Sequence, residues 1–169
     1  GDSTITATGI FNAGVVGELL NTGLVSANAF FGGSIIGATA PTIIATGLLN
    51  SGYIDWLSNS GTISGSASNP GLDANLISYG LYNSGSIWVM SNTGQISGSN
   101  GIYNSTLGRI GNIFNYGTII SDAGVAINNL GTIDYFNNYS TFSGATAIAN
   151  SGTIFEFQND GLIFGSATG

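Results

Sequence analysis

Eight carboxylates and one guanidinium are all the side-chain charge this 169-residue chain has for chemistry. Four of the acids fall in two pairs on what read as neighbouring repeats, Glu18 with Asp55 and Asp134 with Glu156, while Asp73 and Asp122 stand apart. Two carboxyls about 5–9 Å apart would suit a glycosidase. A polysaccharide lyase would need a strong base, with cations around its substrate's carboxylates. Within each pair the residues are one position out of register, which turns them to different faces of a strand. Arg109 is the single cation, and there is no His, Cys or Lys. Ser–His, Cys–His and Ser–Lys nucleophiles are therefore excluded, as is an ordinary zinc site. The calcium repeat Gly-Gly-x-Gly-x-Asp is also missing, because Gly32-Gly33 leads into Ser-Ile-Ile. The expectation is no enzyme, no cofactor and no metal. The acids then serve as solubilising surface charge, and Arg109 pairs with Asp134 or Asp122 in an exposed contact worth about 0–1 kcal/mol.

Four aromatics, Trp56, Trp88, Tyr135 and Phe155, fall mid-segment on neighbouring repeats. Rings in such positions can stack on sugars or on a partner, or simply cover the surface. Asn104-Ser-Thr106 and Asn138-Tyr-Ser140 match the N-glycosylation pattern, but both asparagines belong to the structural columns described next.

Those columns are the strongest signal in the chain. The first holds Asn12, Asn50, Asn83, Asn104, Asn129 and Asn150; the second holds Asn21, Asn59, Asn92, Asn115, Asn138 and Asn159. In eleven of the twelve cases Gly or Ser follows two residues later. The exception is Asn104, whose pair is also spaced by 11 residues where the others are spaced by 9. Two residues before each first-column Asn stands an aliphatic: Ile10, Leu48, Leu81, Ile102, Ile127, Ile148. Between the two asparagines lie the columns Val16–Ile154 and Leu19–Phe157. Their three-residue separation demands a bend or bulge if both face inward, placed near Gly17 and Gly111. A further column runs Val25, Ile63, Ile96, Ile119, Phe142, Ile163.

A repeat of this size cannot bury its apolar side alone. Coiled turns stacked about 4.8 Å apart fill a tube with aliphatic stacks. At the corners each Asn can bond the Asn above and below, and Asn and Gly both tolerate the left-handed conformation that a corner demands. The reading is an all-β, right-handed parallel β-helix (β-solenoid). It is one domain over residues 1–169, with about six three-stranded rungs of roughly 21–23 residues. First-column spacings of 38 and 33 residues, against 21 to 25 later, place insertions at 26–46 and 64–79 as a lateral or capping lobe. Phe30, Phe31, Ile35, Ile36, Ile43 and Ile44 are too apolar for free loops there.

Composition restricts partners. Only 5% of residues are charged and the net charge is −7. One Arg cannot displace the counterions of a nucleic acid or hold an anionic membrane surface. No apolar run approaches the ~20 residues of a membrane span. The chain does not begin with Met, so it reads as a processed chain or as a piece of a longer one. Absent Cys fits a secreted bacterial protein.

The phrase Asn-Ser-Gly-Thr-Ile, at Asn59–Ile63 and Asn150–Ile154, with Asn83-Ser-Gly-Ser-Ile and Asn92-Thr-Gly-Gln-Ile beside it, resembles the degenerate repeats of bacterial autotransporter passenger domains and filamentous adhesins. The resemblance covers nearly the whole chain in repeat style. It implies a parallel β-helix on the bacterial cell surface or outside the cell, an architecture and a location but no ligand. The function expected is an adhesive or fibre-forming module, as in a biofilm, and the alternative is glycan binding through Trp56 and Trp88. No passenger protease motif transfers, since Gly1-Asp2-Ser3-Thr4 lacks the final Gly of Gly-Asp-Ser-Gly.

The two ends complete the expectation. Residues 3–9 read as a third strand without its preceding two, and 161–169 as the third strand of rung six. No helix or charged run covers the last rung, and only Glu156 and Asp160 lie near it. Open edges of this kind are normally blunted. The predicted partner is a second copy stacked head to tail, or further rungs of a longer chain, with Phe30, Phe31, Ile5, Ile163 and Phe164 as the assembly surface. No insertion into a membrane is expected.

Overall fold

The structure, a computed structural model, describes residues 4–32, 40–70 and 74–166. Gly33, Ile35, Ile36 and Asp73, named above, lie outside these residues, as do 1–3 and 167–169. Every strand pairing among the described residues is parallel. The fold is a parallel β-solenoid of six rungs.

The middle segments of the rungs make one six-stranded sheet: β2 (Val15–Asn21), β5 (Tyr53–Asn59), β8 (Ser86–Asn92), β10 (Arg109–Asn115), β12 (Thr132–Asn138) and β15 (Thr153–Asn159). Register is set by the asparagines, Asn21↔Asn59↔Asn92↔Asn115↔Asn138↔Asn159. The ladder skips one column, Gly17, Asp55, Trp88, Gly111, Asp134 and Phe155, in every pairing. The chain bends there, and residues on both sides of the bend turn inward. Ile54 and Leu57 are both fully buried, as are Ile110 with Ile113 and Ile133 with Phe136.

The first and third segments of the rungs share the other sheet, of ten strands. In that sheet β1 (Thr4–Asn12), β4 (Thr42–Asn50) and β7 (Asn75–Asn83) are first segments, while β3 (Leu24–Phe30) and β6 (Thr62–Ser68) are third segments. Where no insertion intervenes the third segment runs on into the next first segment. That is why β9 (Gln95–Asn104) and β11 (Thr118–Asn129) are single long strands, β11 carrying a register shift between Ser121 and Val125. β13 (Thr141–Gly144), β14 (Thr146–Asn150) and β16 (Leu162–Gly165) finish the sheet. Serine hydroxyls bridge rungs near this turn. Ser99 donates through its hydroxyl to the Ser78 carbonyl at 2.9 Å, and Ser121 to the Ser99 carbonyl at 2.8 Å.

The insertions are built as strands. β3 and β6 run outward side by side and β4 and β7 return, so two layers face each other across a second small core of Ala27, Ala29, Ile43 and Ala45. Ile5, Ala7 and Phe31 pack on it. This arm corrects the reading of the N-terminal residues. Thr4–Asn12 is one first-segment strand, paired Thr4↔Thr42 through Thr8↔Thr46, and not a stray third strand. Its extra length exists because the arm supplies a partner.

The main core is the set of columns read from the sequence, from Leu48 to Phe142, almost all fully buried. Each such side chain contributes about 1.5–3 kcal/mol by burial. Both Asn columns are continuous hydrogen-bonded ladders. Nδ2 of each Asn donates to Oδ1 of the Asn one rung on, from Asn12 to Asn150 and from Asn21 to Asn159, at 2.7–2.9 Å. The eight asparagines of rungs two to five are 0–1% exposed. Such burial is tolerable because each amide has partners. The exceptional corner after Asn104 is a turn, in which Gly108 N–H donates to the Ser105 carbonyl at 2.8 Å. The two extra residues bulge outward and Leu107 is left exposed. Gly108 then takes the corner place that Gly85 and Gly131 hold on either side, accepting from Thr132 N–H at 3.0 Å.

Candidate functional site

The outer face of the six-stranded sheet carries five of the chain's nine charged side chains. Glu18 and Glu156 lie in the column of Trp56 and Tyr135; Asp55 and Asp134 lie in the skipped column with Trp88 and Phe155. The two acid pairs are thus one position out of register, as expected, and neither forms a facing carboxyl dyad. Arg109 Nη2 meets Asp134 Oδ2 at 2.7 Å, with the Arg side chain mostly exposed. Asp122 is on the other sheet, in β11. Among the described residues no group of three or more His, Cys, Asp or Glu is placed to hold a metal ion.

The four candidate aromatics are all exposed, but they do not form one stripe. Between Trp56 and Tyr135 the column holds Val89 and Asn112, and Trp88 belongs to the neighbouring column. Trp88 sits at the bend itself and Trp56 just after it. Trp88 instead lies over Gly111, where an added Cβ would come within 3.5 Å of its ring. With Tyr53, Ser86 and Arg109 they line a shallow pocket of about 260 Å³. The Tyr53 hydroxyl donates to Asp55 Oδ1 at 3.1 Å.

Sequence reasoning missed a larger groove, of about 510 Å³, lined by Thr6, Thr8, Ile44, Thr46, Leu49, Tyr79 and Tyr82. It lies on the paired strands β1, β4 and β7. Tyr79, Tyr82 and Tyr103 cluster beside it with ring centroids 5.1–5.2 Å apart. Burial first, and then the neighbouring phenols, holds the Tyr79 hydroxyl above its ordinary value. Burial and then Tyr82 do the same for Tyr103.

The end rungs differ from the interior. At rung six Phe157 and Ile163 are 43% and 37% exposed, although their counterparts one rung earlier, Phe136 and Phe142, are buried, and Phe164, which follows Ser143 in its column, is 52% exposed. At rung one Ile10, Val16, Leu19 and Val25 are only partly buried. Of the remaining assembly candidates, Phe30 is exposed, while Ile5 and Phe31 pack against the arm's core.

The ends also have opposite hydrogen-bonding sense. Side-chain amides donate toward rung six throughout, and corner backbone N–H groups donate toward rung one. Ser51 N–H to Asn12 O and Asp160 N–H to Asn138 O, both at 2.8 Å, are examples. Rung six therefore offers Asn Nδ2 and corner carbonyls to whatever follows it, and rung one offers Asn Oδ1 and corner N–H groups. The corner glycines repeat this asymmetry. A Cβ at Gly52 or Gly61 would strike the carbonyl of Gly14 or Gly23 in the preceding rung, whereas a Cβ at Gly14 or Gly23 would meet nothing within 4 Å.

These features define the chain as a parallel β-solenoid in which, among the described residues, the first and last rungs have opposite hydrogen-bonding sense. No protein-family model, curated protein or solved structure matches it.

Proposed function

We propose that this chain is a structural and adhesive β-solenoid module of the bacterial cell surface or extracellular space, extended axially by rungs of its own kind. Those rungs come from a second copy in a head-to-tail fibre, or from further chain. One observation carries the reading: among the described residues rung six presents Asn Nδ2 and corner carbonyls in the sense that complements the Asn Oδ1 and corner N–H groups of rung one. A head-to-tail contact continues both Asn ladders and all four apolar columns. A head-to-head contact would set N–H against N–H. Heterologous contacts that do not close make open filaments. The repeat style shared with autotransporter passengers and filamentous adhesins supports the location. Negative-stain microscopy of the purified chain tests it: the proposal expects rods many times longer than one module, and a field of single short particles opposes it.

A second reading rests on the pocket beside Trp88. An exposed indole flanked by Arg109 and Tyr53 is suited to stacking on a sugar ring and bonding its hydroxyls. Glycan-array binding that Trp88→Ala removes would favour this passenger-type adhesion, and silence across the array would dismiss it.

A further inference from the structure

The residue after each second-column Asn sits at an exposed corner, and in two consecutive rungs it is tyrosine. Tyr116 N–H donates to Asn92 O and Tyr139 N–H to Asn115 O, both at 2.8 Å. The two Cα positions are thereby held one above the other by the same corner geometry. Their rings stack with centroids 4.8 Å apart and planes at 7°. They are 53% and 40% exposed, so an oxidant has access. The other stacked pair, Tyr82–Tyr103, is 5.1 Å apart at 16° and only partly exposed. The chain has no Cys, and its one Met, Met90, is fully buried. No disulfide is available as a covalent staple, and no thiol is present to intercept a phenoxyl radical.

We infer that Tyr116 and Tyr139 form a site of oxidative modification, at which a peroxide-dependent one-electron oxidant couples them into a dityrosine that staples rung four to rung five. Each phenol loses one hydrogen atom, as a proton and an electron. The two radicals join through a bond between their ring carbons ortho to oxygen, and the hydrogens on those carbons move to the oxygens to restore two phenols. The chain loses two hydrogens and one hydrogen peroxide becomes two waters. No new group enters the core, because the rings lie outside it. The link acts across the stack, perpendicular to the strands, and adds a direct covalent bond between corners that the backbone joins only by way of a full turn of the coil.

The test treats the whole chain with a peroxidase and hydrogen peroxide at about 10 µM protein. A partner held in contact has an effective concentration in the millimolar range, so coupling within a chain should exceed coupling between chains about a hundredfold. The expected product is a chain of unchanged length whose mass is lower by two hydrogens. It should fluoresce as dityrosine and yield one peptic cross-linked peptide pair containing Tyr116 and Tyr139. Tyr116→Phe and Tyr139→Phe, which keep the ring stack and should melt as the wild type does, should each abolish that pair. Denaturant present during oxidation should abolish it too. A link that maps to Tyr82–Tyr103, a product made only of cross-linked dimers, or equal yield from Tyr116→Phe would overturn the assignment.

Discussion

Asn115 donates through Nδ2 to Oδ1 of Asn138 at 2.9 Å, and both side chains are fully buried. Asn115 also accepts from Asn92 at 2.8 Å and donates to its own corner's Gly117 carbonyl at 2.9 Å. Replacing it by Ala removes all three bonds and leaves the Asn92 amide and the Asn138 oxygen each short of a partner. A buried group left unpaired costs about 1–3 kcal/mol, so Asn115→Ala should destabilise by about 2–5 kcal/mol. Asn159→Ala, at the exposed end of the same ladder, should cost about 1 kcal/mol or less. Urea unfolding of the two variants checks the difference; equal costs would mean the ladder contributes nothing cooperative.

Gly61 and Gly23 occupy the same corner of consecutive rungs, and only Gly61 has a rung stacked against its Cβ direction. Gly61→Ala should therefore cost at least about 2 kcal/mol through overpacking against backbone that cannot yield. Gly23→Ala should leave the melting temperature of the single module nearly unchanged. A matched loss in both would point to the corner's own backbone conformation, and not to stacking, as the reason for glycine.

Ile133 is wholly buried between Ile110 and Ile154, while the next residue, Asp134, faces outward to Arg109. An Asp at 133 would be an unpaired carboxylate among aliphatics, at several kcal/mol or protonated. Ile133→Asp should not fold, and Asp134→Asn should lose about 0–1 kcal/mol. Circular dichroism of the pair reads both outcomes. A folded Ile133→Asp chain would show the inward column to be wrongly placed.

The tyrosine cluster sets an alkaline limit. Tyr79 and Tyr103 hold their protons more tightly when folded than the unfolded value of about 10. Their contribution is therefore fully present below that value, and it is lost as pH rises through the folded one. Melting temperature should fall above pH of about 10, less steeply in Tyr79→Phe. Absorbance titration of phenolate should show a late-ionising fraction that this variant reduces. A Tyr79→Phe titration curve of unchanged shape would contradict the assignment.

Most of the architecture was legible in the sequence because the residues that fix register are also the rarest in strand interiors. Asn12 through Asn159 align themselves, and the three-residue gap between Ile54 and Leu57 already requires the bend. Two things were less visible. Thr4–Thr8 alternates in a way that suits either segment, and only its partner Thr42–Thr46, inside an insertion that interrupts the period, decides which. Trp56 stands three residues before Asn59 and Trp88 four before Asn92. That offset could be counted, yet both rings face outward, Trp88 at the bend and Trp56 just after it, so burial pattern alone merges them. The Thr6–Tyr82 groove depends on the longer strands β1, β4 and β7, which no local periodicity announces. The stacked Tyr116 and Tyr139 were not singled out in the sequence, although their shared place after the second Asn is a signal that could have found them.

The central claim is that rung one and rung six are two halves of one interface. Sedimentation velocity over a range of concentrations, comparing the wild type with the Gly14→Ala, Gly23→Ala double variant, tests it most directly. Those two methyl groups meet nothing in the single module, but in a head-to-tail stack they would strike the corner carbonyls of the next copy's rung six. The wild type should sediment as polydisperse species growing with concentration. The double variant should remain a 17.1 kDa monomer with an unchanged melting temperature. A wild type that stays monomeric at tens of micromolar, or a double variant that assembles equally well, would contradict the account.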